Sequence, residues 1–428
     1  NLVDPDEKAD IYVLNTCTVT HVADGKARRW LRSAHRRNPR ATVVATGCYA
    51  QRDPEALAQV DGVSLVVGNQ DKGRLVEVVQ GLGVLEKYGA LPVSDGIASP
   101  SPPTHRSRTR SFVKIQEGCN QFCAFCIVPF TRGRESSVPV PEVVELVKAR
   151  AREGYKEVVI TGPQIGSYGL YPPTPESRRD PDGYDGRLHG LIEGILRETS
   201  VPRLRISSIQ PQDLTERLVA TWQDPRLCRH VHMALQSGSD SLLQRMKRRY
   251  STLQYRQAVE RLREAVPDMA ITTDVMVGFP GETREEFEAS CSLCREMQFA
   301  GIHVFPYSPR PGTCAAEMAG QVSTDTKKER VAEMLALALE SEVRFRRSFL
   351  GRALEVLWEG EEQINGEKLL SGVSDNYIRV YTHEPRVEPN DLTSVTVVEE
   401  LGDGLLGEVR AQVRAGNKTG PERLVCQR

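Results

Sequence analysis

Six short apolar runs constrain this chain more than any other feature: residues 111–115, 157–161, 203–207, 230–235, 270–277 and 301–306. Stretches with a helical period separate them, and polar or Gly-rich residues follow each run directly. Strands that alternate with helices pair in parallel through right-handed crossovers, so the pattern predicts an incomplete (β/α)6 barrel over residues 111–345. In such a barrel the chemistry gathers at the C-terminal ends of the strands.

The flanks read differently. In residues 1–85, apolar runs at 11–14, 41–46 and 63–67 alternate with helical periods at 23–37 and 54–59. This βαβαβ order predicts a small parallel α/β domain. Residues 86–110 carry Pro92, Pro100, Pro102 and Pro103 among Ser and Gly with no apolar period, the composition of a linker. Residues 346–428 hold short β runs at 353–357, 376–381 and 394–398 between Gly-rich turns, which predicts a small antiparallel β-barrel. The fold class is therefore α/β, with a β-barrel appended.

Charge and hydropathy exclude two broad classes. With 56 basic and 57 acidic residues the net charge is -1, so no global field recruits nucleic acid or anionic lipid, and any such binding must be local. No apolar run reaches the roughly 18 residues of a membrane span, and residues 1–7 lack the basic and apolar regions of a signal peptide. The expectation is a cytoplasmic protein that does not enter membranes. In that compartment the ten cysteines stay reduced, as core residues, metal ligands or catalytic thiols.

One cysteine group is tight enough to name a site. Cys119, Cys123 and Cys126 form C-x3-C-x2-C just after the first barrel strand. Zinc sites usually present four protein ligands, whereas three thiolates on a 4Fe-4S cluster leave one iron open to a small molecule. Phe122 and Phe125 alternate with the thiols and would keep water from such a cluster. Core packing alone explains the group poorly, because strand-end cysteines at this spacing are poor packers.

The triplet resembles that of the radical S-adenosylmethionine superfamily. Further segments resemble the methylthiotransferase family within it: Asn15 to Thr20, Thr46 to Gln51, Thr161 to Gln164, Arg205 to Ser208, Leu235 to Ser239 and Val277 to Glu282. The resemblance covers essentially the whole chain. It implies a radical-cluster barrel, an N-terminal domain whose own 4Fe-4S cluster is held by three cysteines, and a C-terminal TRAM barrel that binds substrate. It also implies that S-adenosylmethionine chelates the open iron and yields a 5′-deoxyadenosyl radical, while the protein supplies orientation and a dry cavity. Asn15 to Thr20, Arg245 to Tyr250 and His303 to Ser308 most resemble the branch that converts N6-threonylcarbamoyladenosine, beside the tRNA anticodon, into its 2-methylthio derivative. The isopentenyladenosine branch is the alternative substrate, and a non-catalytic iron-sulfur RNA-binding regulator the alternative class.

On this resemblance Cys119, Cys123 and Cys126 bind the radical cluster, and Cys17 and Cys48 supply two ligands to the N-terminal one. Cys17 and Cys48 each follow a strand end and so reach one sheet edge, although spacing alone fits a packing role equally. The family's first ligand cysteine lies upstream of residue 1, so an upstream strand, cysteine and helix are expected, and the N-terminal cluster is expected to lack a ligand in this chain. For S-adenosylmethionine the resemblance implicates Gly162, Pro163, Gln164, Ser207, Ser208, Gln236, Gly278 and Phe279; strand-to-helix turns and caps also account for these positions. Implied partners are tRNA, an electron donor such as flavodoxin or ferredoxin, and a sulfur donor.

Cys291 and Cys294 repeat C-x2-C, but inside a helical run where they share a face with Phe287, so they read as core. Cys228, Cys314 and Cys426 read as structural. Lys26, Arg28, Arg29, Arg32, Arg36, Arg37 and Arg40 crowd seven positive charges into fifteen residues with Asp24 as the only nearby counter-charge. Such a run is either a solvated helix face or a track for an RNA backbone. Arg245, Lys247, Arg248 and Arg249 offer a second patch. The tail from residue 350 carries 14 acidic and 9 basic residues, a net of -5, so bulk charge does not draw RNA to it. After Arg132-Gly133 the chain runs to Ser136-Ser137-Val138 where related sequences have an Arg-Ser-Arg triplet.

Overall fold

The structure is a computed structural model that describes residues 3–4, 6–81, 109–170 and 186–409. Most of the Pro-rich linker and Cys426 lie outside the described residues. Among the described residues no helix is long and apolar enough to cross a membrane.

Strands Ile11–Thr16, Thr42–Gly47 and Leu65–Val67 form a parallel three-stranded sheet with the second in the centre. Helix His21–Arg37 begins two residues before the apolar period suggests, because the Thr20 hydroxyl caps it by accepting from Ala23 N–H at 3.1 Å. It buries Ala27, Leu31 and Ala34 on the sheet and turns its arginines outward, and His35, Arg36 and Arg37 in the last turn complement the helix dipole.

The six barrel strands are Arg110–Lys114, Glu157–Thr161, Arg203–Ile206, His230–Met233, Ala270–Val277 and Gly301–Pro306, and every pairing among them is parallel. The third bends at Ser207 and continues as Ser208–Ile209, which pairs with the fourth. Alternate residues of each strand face the outer helices. On the fifth, Ile271, Val275 and Val277 join the core formed with Val259 and Leu262 of helix Thr252–Ala265. Cys291 and Cys294 are buried in that core, where desolvation pushes both thiols up, Cys291 to about 11.

The tail is a closed five-stranded barrel of Ala353–Ile364, Glu367–Ser374, Arg379–Thr382, Leu392–Leu401 and Gly404–Val409. It is not wholly antiparallel as expected. The third and fifth strands run parallel, Val380 opposite Leu405, since the long excursion through the fourth strand returns the chain in the same direction. This barrel docks on the N-terminal ends of the larger barrel's strands through arginines. Arg203 donates to Val373 O at 2.9 Å, Arg205 to Asp375 O at 3.0 Å, and Arg229 grips the Asp375 carboxylate at 2.6 and 3.0 Å. Burial alone would raise the Glu157 carboxyl, yet the flanking Arg205 and Arg203 hold it below its usual range.

The N-terminal sheet docks elsewhere, against the segment that follows the sixth barrel strand. Arg310 pairs there with Asp24, side chains only 1% and 3% exposed, and Asp24 also accepts from Thr18 Oγ1 at 2.8 Å and Arg52 at 3.1 Å. Removing one member of a buried pair strands the other charge, at a cost of about 3 kcal/mol or more. Asp24→Ala is therefore expected to lower amide protection of helix His21–Arg37 by roughly a hundredfold in hydrogen exchange. Asp24→Ala combined with Arg310→Met should regain much of it, and unchanged protection in the single variant would show that the pair does not hold the sheet in place.

Candidate active site

The cysteine triplet sits on a loop pinned at several points. A short antiparallel pair sets Gln116 and Glu117 against Ser137 and Ser136, so two residues of the divergent Ser136-Ser137-Val138 triplet close the base of the loop. Gly118 (φ +71°) allows the tight entry, where a Cβ would lie 2.0 Å from Arg134 O. Cys119 N–H donates to Gly133 O at 3.1 Å, Ala124 N–H to Met246 O at 3.0 Å, and Ala315 N–H to Ala124 O at 2.8 Å. Phe125 meets Phe279 edge to face at 6.5 Å, and Phe122 meets Phe130 at 5.9 Å.

Cys123 is buried, whereas Cys119 and Cys126 are partly exposed. Burial raises the Cys119 thiol and pushes Cys126 up to about 12, so a cation must accompany either thiolate. Arg248 supplies one positive charge directly: its Nη1 lies 3.3 Å from Cys123 Sγ and its Nε donates to Tyr250 OH at 3.1 Å. The basic patch read at 245–249 is thus partly engaged by the protein itself, with Lys247 and Arg249 still exposed. Arg245 is clamped by Glu286 at 2.7 Å, Lys247 reaches Cys314 Sγ at 3.4 Å, and Arg249 donates to Asn120 O at 3.3 Å. Cys314 is exposed beside Lys247, so it is no core residue.

Strand ends two to five bring the residues proposed for S-adenosylmethionine around this loop. Gly162 packs so closely that a Cβ would meet Gln116 O at 2.7 Å, and Gln164 N–H donates to Gln116 Oε1 at 3.0 Å. Pro163 stands between them. The Gln164 side chain is engaged by Asp213 at 3.0 Å and Gln210 at 2.7 Å, and Gln210 also reaches Gln121 of the cysteine loop at 2.9 Å. Burial pushes the Asp213 carboxyl up to about 6. Ser208 opens the short strand beside the fourth barrel strand.

Among the polar atoms buried here without a partner are Ser207 Oγ, Gln236 Oε1, Glu135 Oε2 and Tyr307 OH. Gln236 is held in the left-handed region (φ 65°) while its backbone bonds Asp274 O and Met276 N–H. Buried polar atoms are rarely left unmatched, so the mouth is chemically prepared for a polar ligand beside the three thiols, as the cluster and S-adenosylmethionine require. Gly278 N–H is taken by Glu282 at 2.6 Å, and Phe279 is fully buried against Ala124, Met276 and Tyr307, where it backs the cysteine loop.

The N-terminal thiols face the same region from the other side. Thr16 pairs with Gly47, so Cys17 and Cys48 leave adjacent strand ends; Gly47 is needed because a Cβ would sit 2.4 Å from Thr16 O. Both cysteines line a cleft of about 840 Å³ whose opposite wall is Ile127 to Gly133, the segment directly after Cys126. Arg132 crosses the cleft to place Nε 3.3 Å from Cys48 Sγ, and Asn69 ties the walls by donating to Thr131 O at 2.8 Å. The roles of Arg132, Arg248, Asp213, Gln210 and Glu135 escaped the sequence reading, which singled out Arg248 only as one of a basic patch and Arg132 only as the start of a divergent segment.

Residues 113–294 match the radical SAM superfamily and residues 1–68 match uncharacterized protein family UPF0004. The chain is 36% identical over 391 residues to the threonylcarbamoyladenosine tRNA methylthiotransferase MtaB of Bacillus subtilis, covering 88% of this chain and 83% of that protein. It is 33% identical over 410 residues to the tRNA-2-methylthio-N(6)-dimethylallyladenosine synthase of Methylacidiphilum infernorum, covering 93% and 86%. Among solved structures, the fold matches a radical S-adenosylmethionine methyltransferase of Kitasatospora setae, solved with cobalamin and a [4Fe-4S] cluster bound, with a TM-score of 0.50 and 16% identity. That match covers 73% of this chain and 64% of the other, a little under two thirds of its length. Sharing a third of its residues with such enzymes across most of its own length and theirs, the chain belongs to the methylthiotransferase family of radical S-adenosylmethionine enzymes.

Proposed function

We propose that the protein is a tRNA methylthiotransferase that converts N6-threonylcarbamoyladenosine next to the anticodon into its 2-methylthio derivative, using 4Fe-4S clusters and S-adenosylmethionine. The observation that carries this reading is the cleft, in which Cys17 and Cys48 look across at the segment leaving the Cys119, Cys123, Cys126 loop. Two further thiols on the wall facing the triplet's own segment are what a second, sulfur-delivering cluster beside the first would need.

Cys119, Cys123 and Cys126 hold the radical cluster, and Cys17 and Cys48 contribute to the sulfur-delivering one. When bound, the radical cluster supplies the single electron that cleaves S-adenosylmethionine. Arg248 offsets the thiolate charge at Cys123, and Gln210 and Gln164 brace the loop. Ser207 and Gln236 offer their unmatched oxygens to S-adenosylmethionine, with Gly162, Pro163, Ser208, Gly278 and Phe279 shaping its wall. Residues 1–85, 111–345 and 346–428 act as cluster-binding, radical and substrate-binding domains joined by a linker at 86–110. The five-stranded tail has the architecture of barrels that bind oligonucleotides, which supports a TRAM-like role. An electron donor such as flavodoxin or ferredoxin and a separate sulfur donor complete the cycle in the cytoplasm.

The outer face of helix His21–Arg37 is the track for tRNA. Asp24 offsets none of its charge, being buried against Arg310. Lys26, Arg29, Arg32 and Arg36 are exposed, whereas Arg28 donates to Tyr49 OH at 2.6 Å and Arg37 pairs with Asp6 at 3.2 Å. Changing Arg29, Arg32 and Arg36 to Glu is expected to weaken tRNA binding and lower the slope of log affinity against log salt by about 2 to 3. An unchanged slope in a filter-binding titration would return the helix to a plain solvated face.

The cluster assignment is tested by reductive cleavage. Cys119→Ala should abolish 5′-deoxyadenosine release under anaerobic reduction while leaving the circular dichroism spectrum intact, because losing one of three thiolates removes the open iron. Undiminished release would refute the assignment.

A further inference from the structure

A second polar cluster lies inside the barrel, below the cysteine loop. His232, Asp274 and His303 stand on the fourth, fifth and sixth strands, with Asp274 directly opposite His303 in the register. Asp274 Oδ2 is 3.3 Å from His232 Nε2, and its Oδ1 is 3.5 Å from His303 Nδ1. His232 Nδ1 is in turn 3.1 Å from Thr272 Oγ1. The facing of these side chains follows from strand alternation, since Thr273 and Val275 turn outward, Thr273 sharing its hydroxyl with Tyr255 of an outer helix at 3.2 Å.

The position relative to the radical site is set by the same alternation. Met276 and Phe305, two residues beyond Asp274 and His303, pack with Ala124 of the cysteine loop. The cluster is therefore one pleat, about 6–7 Å along the strands, below the residues that carry the loop. Its outer end is open: the His303 side chain is 72% exposed, on a strand that pairs with the fifth and with no other described strand. Burial alone would raise the Asp274 carboxyl, yet the two imidazoles hold it far below its usual range, and Asp274 in turn raises His303. The mechanism above uses none of these groups.

We propose that His303, positioned by Asp274 with His232 behind it, receives the N6 substituent of the target adenine, the imidazole donating from Nε2 to the substituent's carboxylate. This inference rests on the proposed function. In an adenine whose C2 faces the radical site, only N1 separates C2 from C6, so the exocyclic N6 diverges from the C2–H direction and carries its substituent to one side of the cluster. A threonylcarbamoyl group offers a carboxylate for an imidazolium and N–H and O–H donors for a carboxylate such as Asp274. An isopentenyl group offers neither.

The test uses the full gene product, reconstituted until iron and sulfide analysis shows two complete clusters, and two synthetic anticodon stem-loop RNAs, one with N6-threonylcarbamoyladenosine and one with its carboxyl methyl ester. His303→Ala should raise KM for the acid RNA about tenfold or more with little change in kcat, as expected for losing a charge-assisted hydrogen bond. It should leave KM for the ester nearly unchanged, and His303→Gln, which keeps a donor, should restore part of the loss. Iron and sulfide content and circular dichroism establish that each variant is folded and loaded. An unchanged KM for the acid RNA in His303→Ala, or an equal rise with both RNAs, overturns the subsite. Failure of the unaltered protein to methylthiolate the acid RNA overturns the substrate assignment itself, and the subsite with it.

Discussion

The buried ion pair between Asp24 and Arg310 is the constraint on which the rest of the site depends. Two charges sealed from water are stable only with each other, so their partnership fixes how the N-terminal sheet meets the barrel. Thr18 and Arg52 converge on the same carboxylate, the first next to Cys17 and the second on the short helix that Cys48 begins. Arg310 belongs to the turn after the sixth barrel strand. The pair therefore locks the edge that carries one set of thiols to the barrel that carries the other, and the cleft between them is its geometric consequence.

Within that frame the site is assembled by exclusion and compensation. Burial of the cysteine loop raises the Cys126 thiol and so disfavours its thiolate unless a cation offsets the charge, and the cluster that this family uses is a cationic iron core. Arg248 and Arg132 each bring one guanidinium to one sulfur, Cys123 and Cys48 respectively, and each arrives from outside the segment bearing its cysteine. Arg132 bears on the second thiol set although it lies six residues beyond the last cysteine of the triplet, so a shift of the loop is felt across the cleft.

Much of this was legible in the sequence, for a local reason. The second, fifth and sixth barrel strands fall where the apolar runs place them, and the cysteine triplet needs only its spacing. The burial of Cys291 and Cys294 follows from helical period. What was not legible depends on contacts between distant residues. Arg248 reads as one of four basic neighbours until the fold swings it onto Cys123, 125 positions away. Cys314 has no partner at ligand spacing in the sequence and reads as structural, yet it starts a short helix at the surface with Lys247 3.4 Å from its sulfur. The parallel pairing in the tail barrel could not be read from runs of alternating residues, because alternation is the same in either direction.

The central claim is that this chain installs a methylthio group on one particular modified adenosine, and the nucleoside content of cellular tRNA measures that most directly. Mass spectrometry of tRNA nucleosides from a strain lacking the gene should show loss of 2-methylthio-N6-threonylcarbamoyladenosine with its unmethylthiolated precursor accumulating, reversed by the wild-type gene. An unchanged level of that nucleoside, or loss of the 2-methylthio isopentenyl derivative instead, would contradict the account.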